Sequence, residues 1–201
     1  MSRWIKTYQN VVPDEVCQKL MTFFEEHPEL HSKERYGPGK NVHCDYIYTT
    51  RHCDKYPEPE KIFCDLIDSF IKKHLCEGGD MHACISQKQG AQVESSGYLL
   101  RKILGPTRGH SDGPEITQSW DPAQKCWKIY YRILTCIFVF SDGGDELIFP
   151  KFNKTIELKK GMVIAFPPYW TYFHYSKFNK ESYRCQFWLR IRQSSRAEQR
   201  L

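Results

Sequence analysis

The chain reads as an α+β protein, two amphipathic helices followed by short strands that close into a sandwich or barrel. Three observations predict this. Apolar residues recur at helical spacing only within about the first 80 residues. From His82 onward the pattern changes to short β-branched and aromatic runs separated by Gly, Asn and Pro turns. The run Ile133 to Phe140 is apolar on both faces, so it should be a central strand covered from both sides.

Residues 13–26 form the first expected helix. Pro13 and Asp14 open it, Val16, Leu20, Phe23 and Phe24 make one apolar stripe, and Pro28 stops it. A strand is expected from Val42 to Thr49, inside a stretch rich in Gly, Pro, His and charge. The second helix runs from about Pro59 to Leu75, with Ile62, Phe63, Leu66, Ile67, Phe70 and Ile71 facing a core. Lys72, Lys73 and His74 suit its C-terminus, and Gly78-Gly79 ends it. Further strands are expected at His82–Gln87, Gly97–Leu104, Tyr130–Phe140, Asp145–Phe149, Thr155–Leu158, Met162–Phe166 and Tyr183–Ile191. The segment Gly113 to Lys128, with Trp120 and Trp127 among polar residues, reads as a lid.

A length of 201 residues suits one domain with a single sizeable core: a helical support over 1–80, a β core over 81–192 and a basic tail over 193–201. The net charge of +5 permits an acidic partner without demanding nucleic acid. The opening residues lack the apolar stretch of a secretion signal, and no run approaches a membrane span. Nine cysteines without Cys-x-x-Cys, several in apolar segments (Cys17, Cys64, Cys136, Cys185), read as reduced, buried thiols. An intracellular, cytoplasmic protein is the expectation.

The chemistry concentrates at His110-Ser111-Asp112, at His174 and at Arg184. In a strand, residues i and i+2 point the same way, so His110 and Asp112 converge on one ion while Ser111 faces away. The third ligand must come from a strand brought alongside. Two imidazoles and a carboxylate on one side of a metal are the ligand set of non-haem Fe(II) oxygenases. Arg184 adds a permanently charged fork suited to a carboxylate. It shares one strand face with Gln186, Trp188 and Arg190, opposite the apolar Cys185, Phe187 and Leu189. His-x-Asp occurs three times, also at His43-Cys44-Asp45 and His52-Cys53-Asp54. Only the His110 copy is followed by a Gly-Gly-acid strand, a distal His and an Arg.

Taken in order, these motifs resemble the prolyl 4-hydroxylase-type branch of the Fe(II)/2-oxoglutarate dioxygenases over nearly the whole chain. Ile5 to Glu26 resembles the family's opening strand and helix. Gly143-Gly144-Asp145-Glu146-Leu147-Ile148-Phe149 resembles its glycine hairpin, and Lys160 to Phe166 the strand before the distal His. The resemblance implies a double-stranded β-helix (jelly-roll, cupin-like) core with the N-terminal helices packed on one sheet. It implies Fe(II) held by His110, Asp112 and His174, 2-oxoglutarate paired with Arg184, O2 as oxidant, and ascorbate as an accessory cofactor. The substrate it implies is a prolyl or other peptide side chain, or a small amino-acid-like metabolite, with nucleic acid left open and no membrane. A further cosubstrate contact falls to Tyr98, with Lys102 second. The chain departs from the family where a hydroxyl residue is common on the central strand, here Val139.

Three rivals stand beside this reading. A zinc or thiol site could be assembled from His74, Cys76, His82 and Cys84, with His43-Cys44 or His52-Cys53, although no Cys-x-x-Cys is present. A nucleic-acid dealkylase of the same superfamily fits the pair Arg184 and Arg190, although Gln186 stands where that family has Asn. A non-catalytic cupin-like binding domain fits the fold, and the complete ligand set argues against it.

Overall fold

The computed structural model describes residues 3–36, 41–71, 73, 92–113, 116–121 and 126–194. Helix α1 spans Asp14–Glu26, with extended Pro13 before it and two acids in its first turn. Cys17, Leu20 and Phe24 are its buried stripe. Helix α2 spans Pro57–Phe70 and buries Pro59, Phe63, Ile67 and Phe70, starting two residues earlier than expected because Pro57 occupies its first turn. The expected helix end at Gly78-Gly79 and the strand at His82–Gln87 lie outside the described residues.

The strands among the described residues are, in order, β1 (Lys6–Tyr8), β2 (Ser32–Tyr36), β3 (Asn41–Tyr48), β4 (Gln92–Ser95), β5 (Leu99–Ile103), β6 (Thr107–His110), β7 (Ile116–Asp121), β8 (Cys126–Val139), β9 (Glu146–Phe149), β10 (Lys154–Glu157), β11 (Val163–Phe166), β12 (His174–Lys177) and β13 (Ser182–Ser194). The major sheet runs β1-β11-β8-β13-β5-β3-β2, with β4 added to β13 and β7 to β8. The minor sheet runs β10-β9-β12-β6. Their packing makes the expected double-stranded β-helix, with both helices on one sheet.

Strand β8 shows why the architecture holds. Leu134, Cys136, Phe138 and Phe140 join a core shared with Leu20, Phe24, Phe63, Ile67 and Phe70 of the helices. Ile137 and Val139 point the other way, into a second core with Leu147 and Phe149 of the minor sheet. Each fully buried Phe contributes roughly 1.5–3 kcal/mol, so alternate residues of one strand cement both layers. On β13, Cys185, Phe187 and Leu189 enter the helix-side core as the alternation predicted.

The expected N-terminal strands join the major sheet: β1 pairs with β11 and β3 with β5, placing N-terminal chain at both ends of that sheet. Other expectations change. Within Gly113–Lys128, residues 116–121 form β7, paired antiparallel with β8 from Ile116↔Tyr131 to Asp121↔Cys126, so the described part of the expected lid is a β-hairpin arm. The tail begins later than 193, since Gln193 and Ser194 still pair with Ile129 and Lys128. Cys64 is exposed, whereas Cys17, Cys44, Cys136 and Cys185 are buried free thiols. Among the described residues, no helix is long and apolar enough to cross a membrane.

Candidate metal centre

Antiparallel pairing of β12 with β6 sets His174 directly opposite His110. Asp112 lies two residues further, just beyond the end of β6 and not within the strand as expected. The three still converge: their ligand atoms lie within 4.8 Å of one another, the one such group of three among the described residues. His174 is buried between Phe149 and Phe166, with ring centroids at 5.5 and 4.9 Å. The His110 side chain is 37% exposed, which leaves the centre open on one side.

Both imidazoles are held in one tautomer. His110 Nδ1 lies 2.8 Å from the Arg108 carbonyl and His174 Nδ1 2.9 Å from the Tyr172 carbonyl. A carbonyl only accepts, so each Nδ1 carries the proton and each Nε2 presents a lone pair. Asp112 Oδ2 accepts a 2.6 Å hydrogen bond from the buried Thr135 hydroxyl, fixing the carboxylate. Arg132 donates to the Asp112 carbonyl at 3.0 Å. Asp112 Oδ1 lies 3.5 Å from His110 Nε2.

The electrostatics follow. The Asp112 hydrogen bond raises the His110 pKa against its partial burial. Burial pulls the His174 pKa down, towards the neutral ring a metal needs. Burial pushes the Asp112 carboxyl up, but His110, His174 and Thr135 outweigh it, and its pKa is lowered.

Arg184 lines the same cavity, about 260 Å³ in volume, with His110, Asp112 and His174 and with Arg101 and Gln186. Its terminal nitrogen pairs with the buried carboxylate of Asp145. Asp145 also accepts from Ser182 Oγ at 2.8 Å and from the Asn179 N–H at 3.0 Å. Arg184 Nε is buried without a hydrogen-bond partner. Arg101 reaches the cavity from β5, paired with Glu34 and with Gln186. A second cavity of about 510 Å³ continues along the same sheet face and shares Glu34, Leu99, Arg132 and Trp188 with the first.

His110, Asp112, His174 and Arg184 therefore come together, but Tyr98 does not. Its ring packs on Phe63 and Phe187 in the helix-side core, at 5.2 and 5.6 Å. Strand alternation sends Leu99 and Arg101 to the cavity and Tyr98 away from it. Lys102 also points away, bound to Glu25 at 3.0 Å. Val139 is the cross-strand partner of Arg184, so the departure noted there sits beside the guanidinium. Thr135 and Arg101 were not anticipated, although strand parity from Arg184 across β8 and β5 carried the signal; Arg132 reaches the same face through the register shift between Leu189 and Arg190. His43 is buried in β3, with Nε2 3.6 Å from Glu34, and His52 follows a turn after that strand; neither belongs to the metal group. Of the zinc rival, His74, Cys76, His82 and Cys84 lie outside the described residues, and His43, Cys44, His52 and Cys53 form no metal-binding group among the described ones.

No family model matches the sequence, and no curated protein does. Among solved structures, the chain is similar to the viral collagen prolyl hydroxylase of Paramecium bursaria Chlorella virus-1 in its 2-oxoglutarate complex. That match has a TM-score of 0.60 at 14% identity, covering 94% of this chain and 97% of that one. A prolyl hydroxylase from Trichoplax adhaerens, in complex with a hypoxia-inducible-factor degradation-domain peptide, gives 0.60 at 14% identity, covering 94% and 84%. The non-haem α-ketoglutarate-dependent epimerase of nogalamycin biosynthesis gives 0.57 at 10% identity, covering 94% and 77%. The chain thus has the fold of the Fe(II)/2-oxoglutarate dioxygenases.

Proposed function

We propose that this protein is an Fe(II)- and 2-oxoglutarate-dependent dioxygenase that hydroxylates an unactivated C–H bond, in a peptide side chain such as prolyl or in a small amino-acid-like metabolite. The observation that carries the reading is the convergence of His110, Asp112 and His174, two lone-pair-bearing Nε2 atoms and one ionised carboxylate, beside Arg184 in one cavity. The likeness to prolyl hydroxylases, one holding 2-oxoglutarate and one a peptide, supports it at the level of fold.

The residues present fit both groups. A divalent iron takes mixed imidazole and carboxylate ligands on one face and keeps positions open on the other. The orphaned Arg184 Nε is a buried donor that the distal carboxylate of 2-oxoglutarate would satisfy. Iron and cosubstrate, when bound, supply the oxidative chemistry of O2 activation. The chain's own residues supply placement. The Arg108 and Tyr172 carbonyls hold the two imidazoles and Thr135 holds the carboxylate in place, which sharpens metal affinity. Phe149, Phe166 and Leu147 keep water from the inner side, and the exposed side of His110 faces the route by which a substrate approaches.

The test is a screen of candidate peptides and amino-acid-like metabolites with the iron-loaded protein. A substrate gains the mass of one oxygen in step with succinate release. Metal binding without 2-oxoglutarate consumption would return the protein to the non-catalytic cupin-like reading.

A further inference from the structure

The larger cavity has a composition that the metal centre does not use. Its walls carry Lys33, Arg51, Arg132 and Arg190 against two nearby acids, Glu34, which is paired with Arg101, and Glu94, which is 3.3 Å from Arg190. The three arginines each hold the guanidinium carbon over an aromatic ring: Arg132 over Trp188 at 3.8 Å, Arg190 over Tyr130 at 4.2 Å, and Arg51 over Tyr48 at 4.9 Å. A ring face attracts and restrains a guanidinium, whose planar fork suits it to carboxylates. These groups stand on one face of neighbouring strands. Arg190 is the cross-strand partner of Arg132, and Tyr48 of Leu99. Arg132 also donates to the Asp112 carbonyl, so this guanidinium bridges groove and metal centre.

We propose that this groove docks the substrate and that its occupant is an acidic peptide segment, whose carboxylates sit on Arg51, Arg132 and Arg190 while a neighbouring residue is presented to the metal centre. The proposal rests on the dioxygenase reading only for what becomes of the bound peptide; the docking chemistry belongs to the groove. A groove of about 510 Å³ is large enough for a few side chains. A nucleic-acid strand fits it less well. The faces of Trp188, Tyr130 and Tyr48 that could stack bases are covered by guanidiniums. A phosphate chain would also pass Glu34 and Glu94, the latter 3.3 Å from Arg190. One or two carboxylates can seat between those acids, whereas a continuous polyanion meets both.

The test uses the full chain without iron and a synthetic pool of fully randomised peptides about ten residues long. Peptides captured on the protein are sequenced, and labelled versions of the enriched ones are titrated by fluorescence anisotropy. Asp and Glu should be enriched. Replacing them by Asn and Gln should weaken binding about tenfold, equivalent to about 1.4 kcal/mol. In Arg51→Gln and Arg190→Gln proteins, shown to be folded by thermal unfolding, the acidic preference should shrink, and Arg51→Lys should keep part of it. Selection without acidic preference, or preference that survives both Gln variants, overturns the proposal. Oligothymidylate binding tighter than the selected peptides and dependent on the same arginines overturns it in favour of nucleic acid. A failed dioxygenase reading looks different: acidic selection persists while the iron-loaded protein forms no succinate from 2-oxoglutarate.

Discussion

Arg184→Ala should separate cosubstrate binding from metal binding, and the ion pair with Asp145 sets how the result is read. A hydrogen-bonded contact between a guanidinium and a buried carboxylate contributes about 2–3 kcal/mol. At 1.4 kcal/mol per decade, the variant should bind 2-oxoglutarate about 30- to 150-fold more weakly. Iron affinity should barely change, because Arg184 is not among the converging ligands. The same substitution strands Asp145, which is 1% exposed. Breaking one side of a buried pair costs about 3–5 kcal/mol. Ser182 and Asn179 still donate to Asp145, which argues for the lower end. About 3 kcal/mol in a chain of this size lowers Tm by roughly 6–12 °C, so affinity must be measured well below the transition.

Asp145→Asn supplies the opposite sign. It unshares the guanidinium, so the protein without 2-oxoglutarate should be less stable while 2-oxoglutarate binds as well as or better than in the wild type. Anaerobic calorimetry of the iron-loaded proteins reads both affinities. Normal 2-oxoglutarate binding by Arg184→Ala, or equal weakening in the two variants, would refute the assignment of Arg184 to the distal carboxylate and leave it a structural partner of Asp145.

Thr135→Val keeps shape but removes the 2.6 Å hydrogen bond to Asp112 Oδ2, and metal affinity measured by competition with a chelator should fall about 10- to 100-fold. His43→Ala and His52→Ala should retain full metal content by elemental analysis, with a loss of thermal stability only at the buried His43. Metal loading should also depend on pH through His110, whose pKa is raised by its hydrogen bond to Asp112. In the metal-free protein a raised folded pKa contributes stability that is fully present below about 6.5 and lost as pH rises through the folded value. Metal binding expels that proton, so apparent affinity should rise across the same window, and a pH-independent affinity would count against His110 as a ligand.

The strands that bury apolar side chains were legible in the sequence, because alternation along β8 and β13 separates two cores. That alternation also placed Arg184, Gln186, Trp188 and Arg190 on one face. The strands lining the metal cavity were harder to see. β6 (Thr-Arg-Gly-His), β12 (His-Tyr-Ser-Lys) and edge strand β2 (Ser-Lys-Glu-Arg-Tyr) have little apolar periodicity, because their inward side chains face a polar cavity. Tyr98 shows the cost of an unknown strand parity. Gly97, at φ +86°, turns the chain immediately before β5, and an error of one residue there exchanges core for cavity. Leu99 and Arg101 take the cavity side. The Asp145–Arg184 pair is a contact across long sequence separation, visible only once β13 and the glycine hairpin are brought together.

The most direct measurement of the central claim is an anaerobic Fe(II) titration of the wild-type, His110→Ala and His174→Ala proteins. The site predicts one ion per wild-type chain and a large loss of affinity in both variants, steepest at His174, which is buried with its Nε2 lone pair turned to the other ligands. Unchanged iron affinity in both variants would contradict the assignment of His110, Asp112 and His174 as the metal centre.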